Sequence, residues 1–367
     1  MRLRWPPRRT MTSGRIEWNR QSWPATSMGA KEFERTQGRR SAWLGDVAEV
    51  WRRWCAEEEP GLAVTTSGTT GTPKRIQHSR KATACSVAQT AEALGLDEGC
   101  HAVLALPTTF VAGQAMVVRA LVGRWRLTLV EPSAAPSWAG SCDFVAMTPH
   151  QTLGWLEHGS GYATTLLLGG GPVSPALLRA LLASSRVSTV WEGFGMSETL
   201  THIALRRLDK VQDLAAPFVP LPNTCVTVDA QGCARIDAPD REVHGLSTTD
   251  LVDVCDDGSF VWLGRRDDVI NSGGVLVHPM EVERAFHTFC PSWVQDFVVY
   301  GRPDDTLGFE VVLRVQSAEP PEDLDHAFQT FRNQLKALVG SAKTPRAVEW
   351  GDVPRSDRGK VMRRALS

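Results

Sequence analysis

Residues 65–74 read TTSGTTGTPK, a hydroxyl-rich turn interrupted by Gly68 and Gly71 and closed by Lys74. Glycine admits backbone dihedrals closed to other residues and lets N–H groups come up against an anion. Thr66, Ser67, Thr69 and Thr70 add hydroxyl donors, and Lys74 adds a cation. The stretch therefore reads as a grip for a polyphosphate. It is not the Walker pattern, in which the lysine directly follows the last glycine, because Thr72 and Pro73 intervene before Lys74. The strand-like run LAVTT before the turn and a helical pattern after Ser79 predict the order strand, nest, helix.

Outward from that turn, short β-rich runs alternate with helical patterns over residues 62–194: LAVTT, HAVLAL, RLTLV, DFVAM, TTLLL and STVWEG. This alternation predicts an α/β sheet, with functional loops at the strands' C-terminal ends near Pro107, Gly169 and Gly193. Residues 223–263 change to hairpin patterning, with turns at Gln231-Gly232 and Asp257-Gly258, and predict a small β-rich subdomain. After Arg266 a new unit begins: a helix led by Pro279, strands in WVQDFVVY and EVVLRV, and a helix over 320–338. The predicted fold class is multi-domain α/β: a large N-terminal α/β domain (61–266) carrying the β-rich subdomain, then a small mobile C-terminal α+β domain (267–367). Residues 1–60 form an N-terminal segment, partly disordered at its start, whose Trp5, Trp18, Trp23 and Trp43 are expected to pack on the large domain.

Bulk properties remove several functions. Across 367 residues, 40 Lys and Arg balance 41 Asp and Glu, so nothing calls for nucleic acid. Eight cysteines are scattered without a C-x-x-C pair, which indicates neither a zinc site nor a disulfide framework and points to a reducing cytoplasm. Apolar runs such as AMVV and TLLLGGG fall far short of the about 20 residues a membrane helix requires. The arginine- and proline-rich first nine residues have no apolar stretch after them, so a secretory leader is not expected. A homo-oligomer is left open.

Four more segments complete a nucleotide constellation. WEGFGMSETL at 191–200 offers Phe194 as an aromatic face, Gly195, Ser197 as a hydroxyl, and Glu198 as a hard oxygen ligand suited to Mg²⁺. STTDLVDV presents Asp250, GRRDD presents Arg265 and Asp267, and PRSDRGKVMRRAL presents Lys360 on a glycine-bearing loop. With the phosphate turn, this set closely resembles the acyl-adenylate-forming (AMP-binding) superfamily, the acyl-CoA synthetases and their relatives.

That resemblance implies an AMP-binding large domain and a set of roles. Asp250 would accept the ribose hydroxyls of ATP, Arg265 would contact ribose and phosphate, and Glu198 would ligate the metal. Adenine would lie between Phe194 and the backbone of Gly169, Gly170 and Gly171. Lys360 would stabilise charge at the α-phosphate, and with Thr66 and Glu198 it makes up the expected catalytic set. A hinge at Asp267 would rotate the C-terminal domain and bring the turn at Gly273 and Gly274 to the pantetheine arm of CoA.

Only residues 1–64 precede the phosphate turn, short for the superfamily. Residues 106–121, 195–208 and 271–286 are especially similar to the o-succinylbenzoate-CoA ligases of menaquinone biosynthesis. A substrate with two carboxylates needs a cationic or donor-rich partner for the one that is not activated, and Arg119, Thr201 and His202 are the candidates. Two positions depart from the family: Phe110 stands where many members have histidine, and Leu276 where a basic residue is common. The expected partners are ATP, Mg²⁺, CoA and a small organic acid. An enzyme for another aromatic or short acyl acid, a domain that loads a carrier protein, and a non-catalytic nucleotide- or acyl-binding module are the competing readings.

Overall fold

The computed structural model describes residues 14–38, 40–66, 74–209, 216–355 and 361–366. In chain order these form β1 (Arg15–Trp18), β2 (Gln21–Pro24), α1 (Ser27–Thr36), α2 (Ala42–Cys55), β3 (Leu62–Thr66), β4 (Lys74–His78), α3 (Arg80–Leu94), β5 (His101–Leu104), α4 (Val111–Gly123), β6 (Arg126–Leu129) and β7 (Ser141–Met147). Next come α5 (Pro149–His158), β8 (Tyr162–Leu168), α6 (Pro175–Ala183), β9 (Val187–Gly195), β10 (His202–Arg207), β11 (Val219–Pro220), β12 (Cys225–Val228), β13 (Cys233–Ala238), β14 (Val243–Val254) and β15 (Phe260–Arg265). The last elements are β16 (Ile270–Ser272), β17 (Val275–Val277), α7 (Pro279–His287), β18 (Asp296–Asp304), β19 (Gly308–Gln316), α8 (Leu324–Val339) and β20 (Ala347–Trp350).

A nine-stranded sheet runs in the order β11-β10-β9-β8-β7-β5-β6-β1-β2. Its interior pairs, from β9 to β1, are parallel, and the outer pairs are antiparallel. Strands covered on both faces read as continuous apolar runs, and Ala102, Val103 and Leu104 are each fully buried. Successive side chains go to opposite layers. Ala102 and Leu104 join a core with Trp51 of α2 and Val117 of α4, while Val103 and Val145 join another with Trp155 of α5 and Leu177 of α6. The covering helices change face between β5 and β7, where the chain order reverses, and such sheets bind ligands outside the strands' C-terminal ends at that point. Among the described residues, no helix is long and apolar enough to cross a membrane.

The segment before the phosphate turn is part of this sheet. β1 pairs in parallel with β6, and Trp23 and Trp43 are buried in the same core as Leu104. Trp18 meets Trp43 edge to face, with ring centroids 5.7 Å apart. Trp5 lies outside the described residues.

Two expectations need correction. The order strand, nest, helix is interrupted, because KRIQH forms β4, antiparallel to β3 in register Thr66↔Lys74, before Ser79 caps α3. The phosphate turn is thus the connection of a hairpin. The helix expected over 320–338 begins at Leu324, because the Asp323 side chain accepts the His326 N–H at 2.8 Å and caps it there.

The β-rich subdomain is a four-stranded meander, β12-β13-β14-β15, with Gly232 and Gly258 at φ of 79° and 82° in the predicted turns. The C-terminal unit packs α7 and α8 on the β17-β16-β19-β18 sheet, with β20 parallel to β19, around Phe286, Phe297 and Phe331.

Candidate active site

The β3–β4 hairpin carries the phosphate turn, of which Ser67, Gly68, Thr69, Thr70 and Gly71 lie outside the described residues. Lys74 opens β4 and is exposed, whereas His78 at the other end is buried. Its Nε2 donates to the Ser197 carbonyl at 2.7 Å. Burial holds the His78 imidazole below its usual range, so at neutral pH it is uncharged and its proton must sit on Nε2 to make that bond. Ser197 opens the helical turn Ser197–Thr199, which presents half-buried Glu198. The hairpin is thereby tied beside Glu198, and His78 is a site residue that sequence reasoning missed. Only its spacing from the turn, at the end of a polar strand, could have pointed to it.

The ends of β8 and β9 meet in register Leu168↔Glu192, so residues 169–171 leave β8 beside the strand that carries Phe194 and Gly195. Gly170 takes φ of 83°, a left-handed conformation that favours glycine. A Cβ on Gly195 would lie 2.2 Å from the Thr201 carbonyl oxygen, so the close approach of β9 to β10 requires its absence. Phe194 is half-buried rather than a free aromatic face. Its ring meets Phe260 at 5.0 Å and Phe218 at 5.7 Å. Arg206 lies over Phe218, 4.4 Å from the ring centroid, and pairs with buried Glu192 at 2.6 Å. That support joins residues of β9, β10 and β15 with Phe218 and has no local signature.

Asp250 and Arg265 face each other across β14 and β15. The Asp250 Oδ1 accepts from Trp262 Nε1 at 3.0 Å. Arg265 Nη2 donates to Thr249 Oγ1 at 2.6 Å and to Asp267 Oδ2 at 3.2 Å. Asp267 sits in the helical turn Arg266–Asp268 between β15 and β16. Gly273 and Gly274, at φ of 60° and 84°, make the two-residue connection of the β16–β17 hairpin, and that turn alone demands both glycines. Lys360 lies outside the described residues.

Arg119, Thr201 and His202 come together in one buried polar cluster. The guanidinium of Arg119, 2% exposed, donates from Nη2 to Thr90 Oγ1 at 3.3 Å, and its Nη1 lies 3.6 Å from Met116 Sδ. Its Nε has no acceptor. Thr201 Oγ1 is 3.0 Å from Ser86 Oγ, and His202 Nε2 is 3.2 Å from Thr90 Oγ1. Burial, then the charge of nearby Arg241, pulls Arg119 down to about 9, which leaves it charged at neutral pH. Burial, then Arg119 and Arg241, holds His202 well below its usual range and keeps it neutral. A buried donor without a partner costs about 1–3 kcal/mol, and a buried charge without a counter-ion more. The cluster therefore favours an anion. It lies one strand from Gly193, where a Cβ would fall 2.8 Å from that of His202.

No group of three His, Cys, Asp or Glu side chains is placed to hold a metal among the described residues. Glu198 is a single carboxylate, which fits Mg²⁺ because that ion is commonly held by one or two carboxylates with phosphate oxygens and water.

Residues 11–237 match the family model described as AMP-binding enzyme. A 2-succinylbenzoate–CoA ligase of Geobacillus kaustophilus is 27% identical over 364 residues, 88% of this chain and 72% of that protein. A structure from Dyadobacter fermentans, described as an acyl-CoA synthetase (AMP-forming)/AMP-acid ligase II-like protein, is similar at a TM-score of 0.58 and 28% identity, covering 93% of this chain and 97% of that one. The o-succinylbenzoate CoA synthetase MenE of Bacillus subtilis, solved with the acyl-adenylate intermediate OSB-AMP, is similar in fold at a TM-score of 0.68 and 21% identity, covering 85% of this chain and 69% of that one.

Proposed function

The chain belongs to the AMP-binding enzyme family, and we propose that it is an ATP-dependent acid–CoA ligase acting on 2-succinylbenzoate in the cytoplasm. The observation that carries this reading is the His78–Ser197 bond, which fixes the hairpin of the phosphate turn beside Glu198. The names of its relatives support the choice of acid.

In the first half-reaction a carboxylate oxygen of the acid attacks the α-phosphorus of ATP, the bond to pyrophosphate breaks, and an acyl-adenylate remains. In the second, the CoA thiolate attacks the acyl carbon and AMP leaves with the bonding electrons. Thr66, the turn at 67–71 and Lys74 hold the phosphates. Gly169, Gly170, Gly171, Phe194 and Gly195 line the base, Asp250 and Arg265 hold the ribose, and Ser197 adds a hydroxyl. Glu198 holds Mg²⁺, which when bound neutralises phosphate charge. Lys360 stabilises the transition state of adenylation electrostatically. Arg119, Thr201 and His202 receive the carboxylate that is not activated, and Gly273 and Gly274 line the path of CoA.

The test is exchange of labelled pyrophosphate into ATP with 2-succinylbenzoate, benzoate and short fatty acids, followed by AMP release on addition of CoA. Exchange should be fastest with 2-succinylbenzoate, and CoA alone should release AMP. Preference for a monocarboxylic acid would replace the substrate and keep the ligase. A requirement for an added carrier protein would replace CoA.

A further inference from the structure

Arg241 was not among the residues read from the sequence, yet it is buried with one guanidinium nitrogen that has no partner. It closes the helical turn Pro239–Arg241 and is 2% exposed. Its Nε donates to Gln89 Oε1 at 2.8 Å and its Nη1 to the His202 carbonyl at 2.6 Å, while Nη2 has no acceptor. Its neighbour Asp240 accepts instead from Asn223 Nδ2 at 2.7 Å. Among the described residues no carboxylate lies within ion-pair distance of Arg241 or of Arg119, and each guanidinium keeps one buried nitrogen without a partner. Two buried guanidiniums around a neutral imidazole are like charges in a poorly screened place, which makes the cluster short of one anion.

We propose that Arg241 is a specificity-determining residue: with Arg119 it takes the distal carboxylate of the acid between two guanidiniums, so that the ligase selects dicarboxylic over monocarboxylic acids. A carboxylate has two oxygens with about four acceptor positions, enough for the unpartnered Nη2 of Arg241 and Nε of Arg119 together. The proposal rests on the ligase reading for its substrate and on the buried cluster for its chemistry. A merely structural Arg241, serving Gln89 and the His202 carbonyl, would affect every acid alike.

The experiment compares wild type, R241Q and R241K as full chains with 2-succinylbenzoate and with 3-benzoylpropionate, the same acid without its ring carboxylate. Pyrophosphate exchange gives kcat and KM. Loss of a charged hydrogen bond corresponds to about 10- to 150-fold, so R241Q should raise KM for 2-succinylbenzoate within that range. Its kcat should stay within about threefold, and KM for 3-benzoylpropionate should move by less than about threefold. R241K, which keeps the charge and loses the fork, should fall between, and it carries the test if R241Q shows no cooperative melting. Equal changes for both acids, or none, would overturn the proposal. Calorimetric titration with 2-succinylbenzoate in the absence of ATP separates the two readings. If wild type exchanges pyrophosphate with neither acid, the ligase reading fails, and weaker binding to R241Q than to wild type still upholds the anion site, whereas equal or absent binding in both sinks it.

Discussion

At the scale of single residues, the proposed function gives Lys360 its sharpest catalytic role. Removing one preorganised donor to transition-state charge commonly costs about 10²- to 10³-fold in turnover. Lys360→Ala should lower pyrophosphate exchange at least that far while leaving thioester formation from a supplied acyl-adenylate within about threefold of wild type. Wild-type exchange by the variant would remove Lys360 from the mechanism. His202 offers a test by pH. Its folded value is depressed, so below about pH 6.5 the unfolded chain takes up a proton there that the folded chain does not. The stability it contributes is complete above that pH and is lost as the pH falls. Thermal melts of His202→Gln should show a flatter decline from pH 7 to 5 than wild type, by at most about 1.4 kcal/mol per pH unit. His78 and His101 are also depressed by burial and will keep some slope in the variant, so identical slopes would be the contrary result. Arg119, Thr201 and His202 were singled out in stretches similar to the ligase family, and the structure joins them through Ser86 and Thr90 in one buried cluster. Arg241 was not, because PDRE reads as a solvated turn and its partners, Gln89 of α3 and the His202 carbonyl of β10, lie 152 and 39 residues away.

At the scale of elements, the strands and helices of the large sheet were legible because burial on both faces leaves uninterrupted apolar runs, as in Ala102–Leu104 and Leu166–Leu168. β4 was not, since KRIQH has no apolar alternation and four of its five residues are at least partly exposed. Its strand conformation comes from pairing with β3, a partner beyond the reach of local patterning. Gly195 is where element packing and site meet. A methyl there would be driven into the Thr201 carbonyl, and overpacking of this kind costs about 1–3 kcal/mol. Gly195→Ala should lower the melting temperature by several degrees and slow pyrophosphate exchange in step. An unchanged melting temperature with full exchange would show that β9 and β10 do not need that approach.

At the scale of the whole molecule, the C-terminal unit has its own core yet touches the rest at defined points. Arg284 of α7 donates to the Trp262 carbonyl of β15, and Arg179 of α6 lies 3.3 Å from His287 Nδ1. The change of pattern after Arg266 was visible in the sequence, whereas these contacts join residues far apart in the chain and were not. Rotation about Asp267 would have to exchange such contacts between half-reactions. Asp267→Pro fixes φ at the turn Arg266–Asp268, and it should leave pyrophosphate exchange largely intact while slowing thioester formation about tenfold or more. Equal loss of both would place the hinge elsewhere. The central claim, that this chain activates an acid as its adenylate, is tested most directly by a single turnover with ATP, Mg²⁺ and 2-succinylbenzoate, quenched and resolved by mass spectrometry before and after CoA is added. The expected result is acyl-AMP with pyrophosphate, converted by CoA to the thioester with AMP. Formation of ADP and phosphate instead, or pyrophosphate release that does not depend on the acid, would contradict the account.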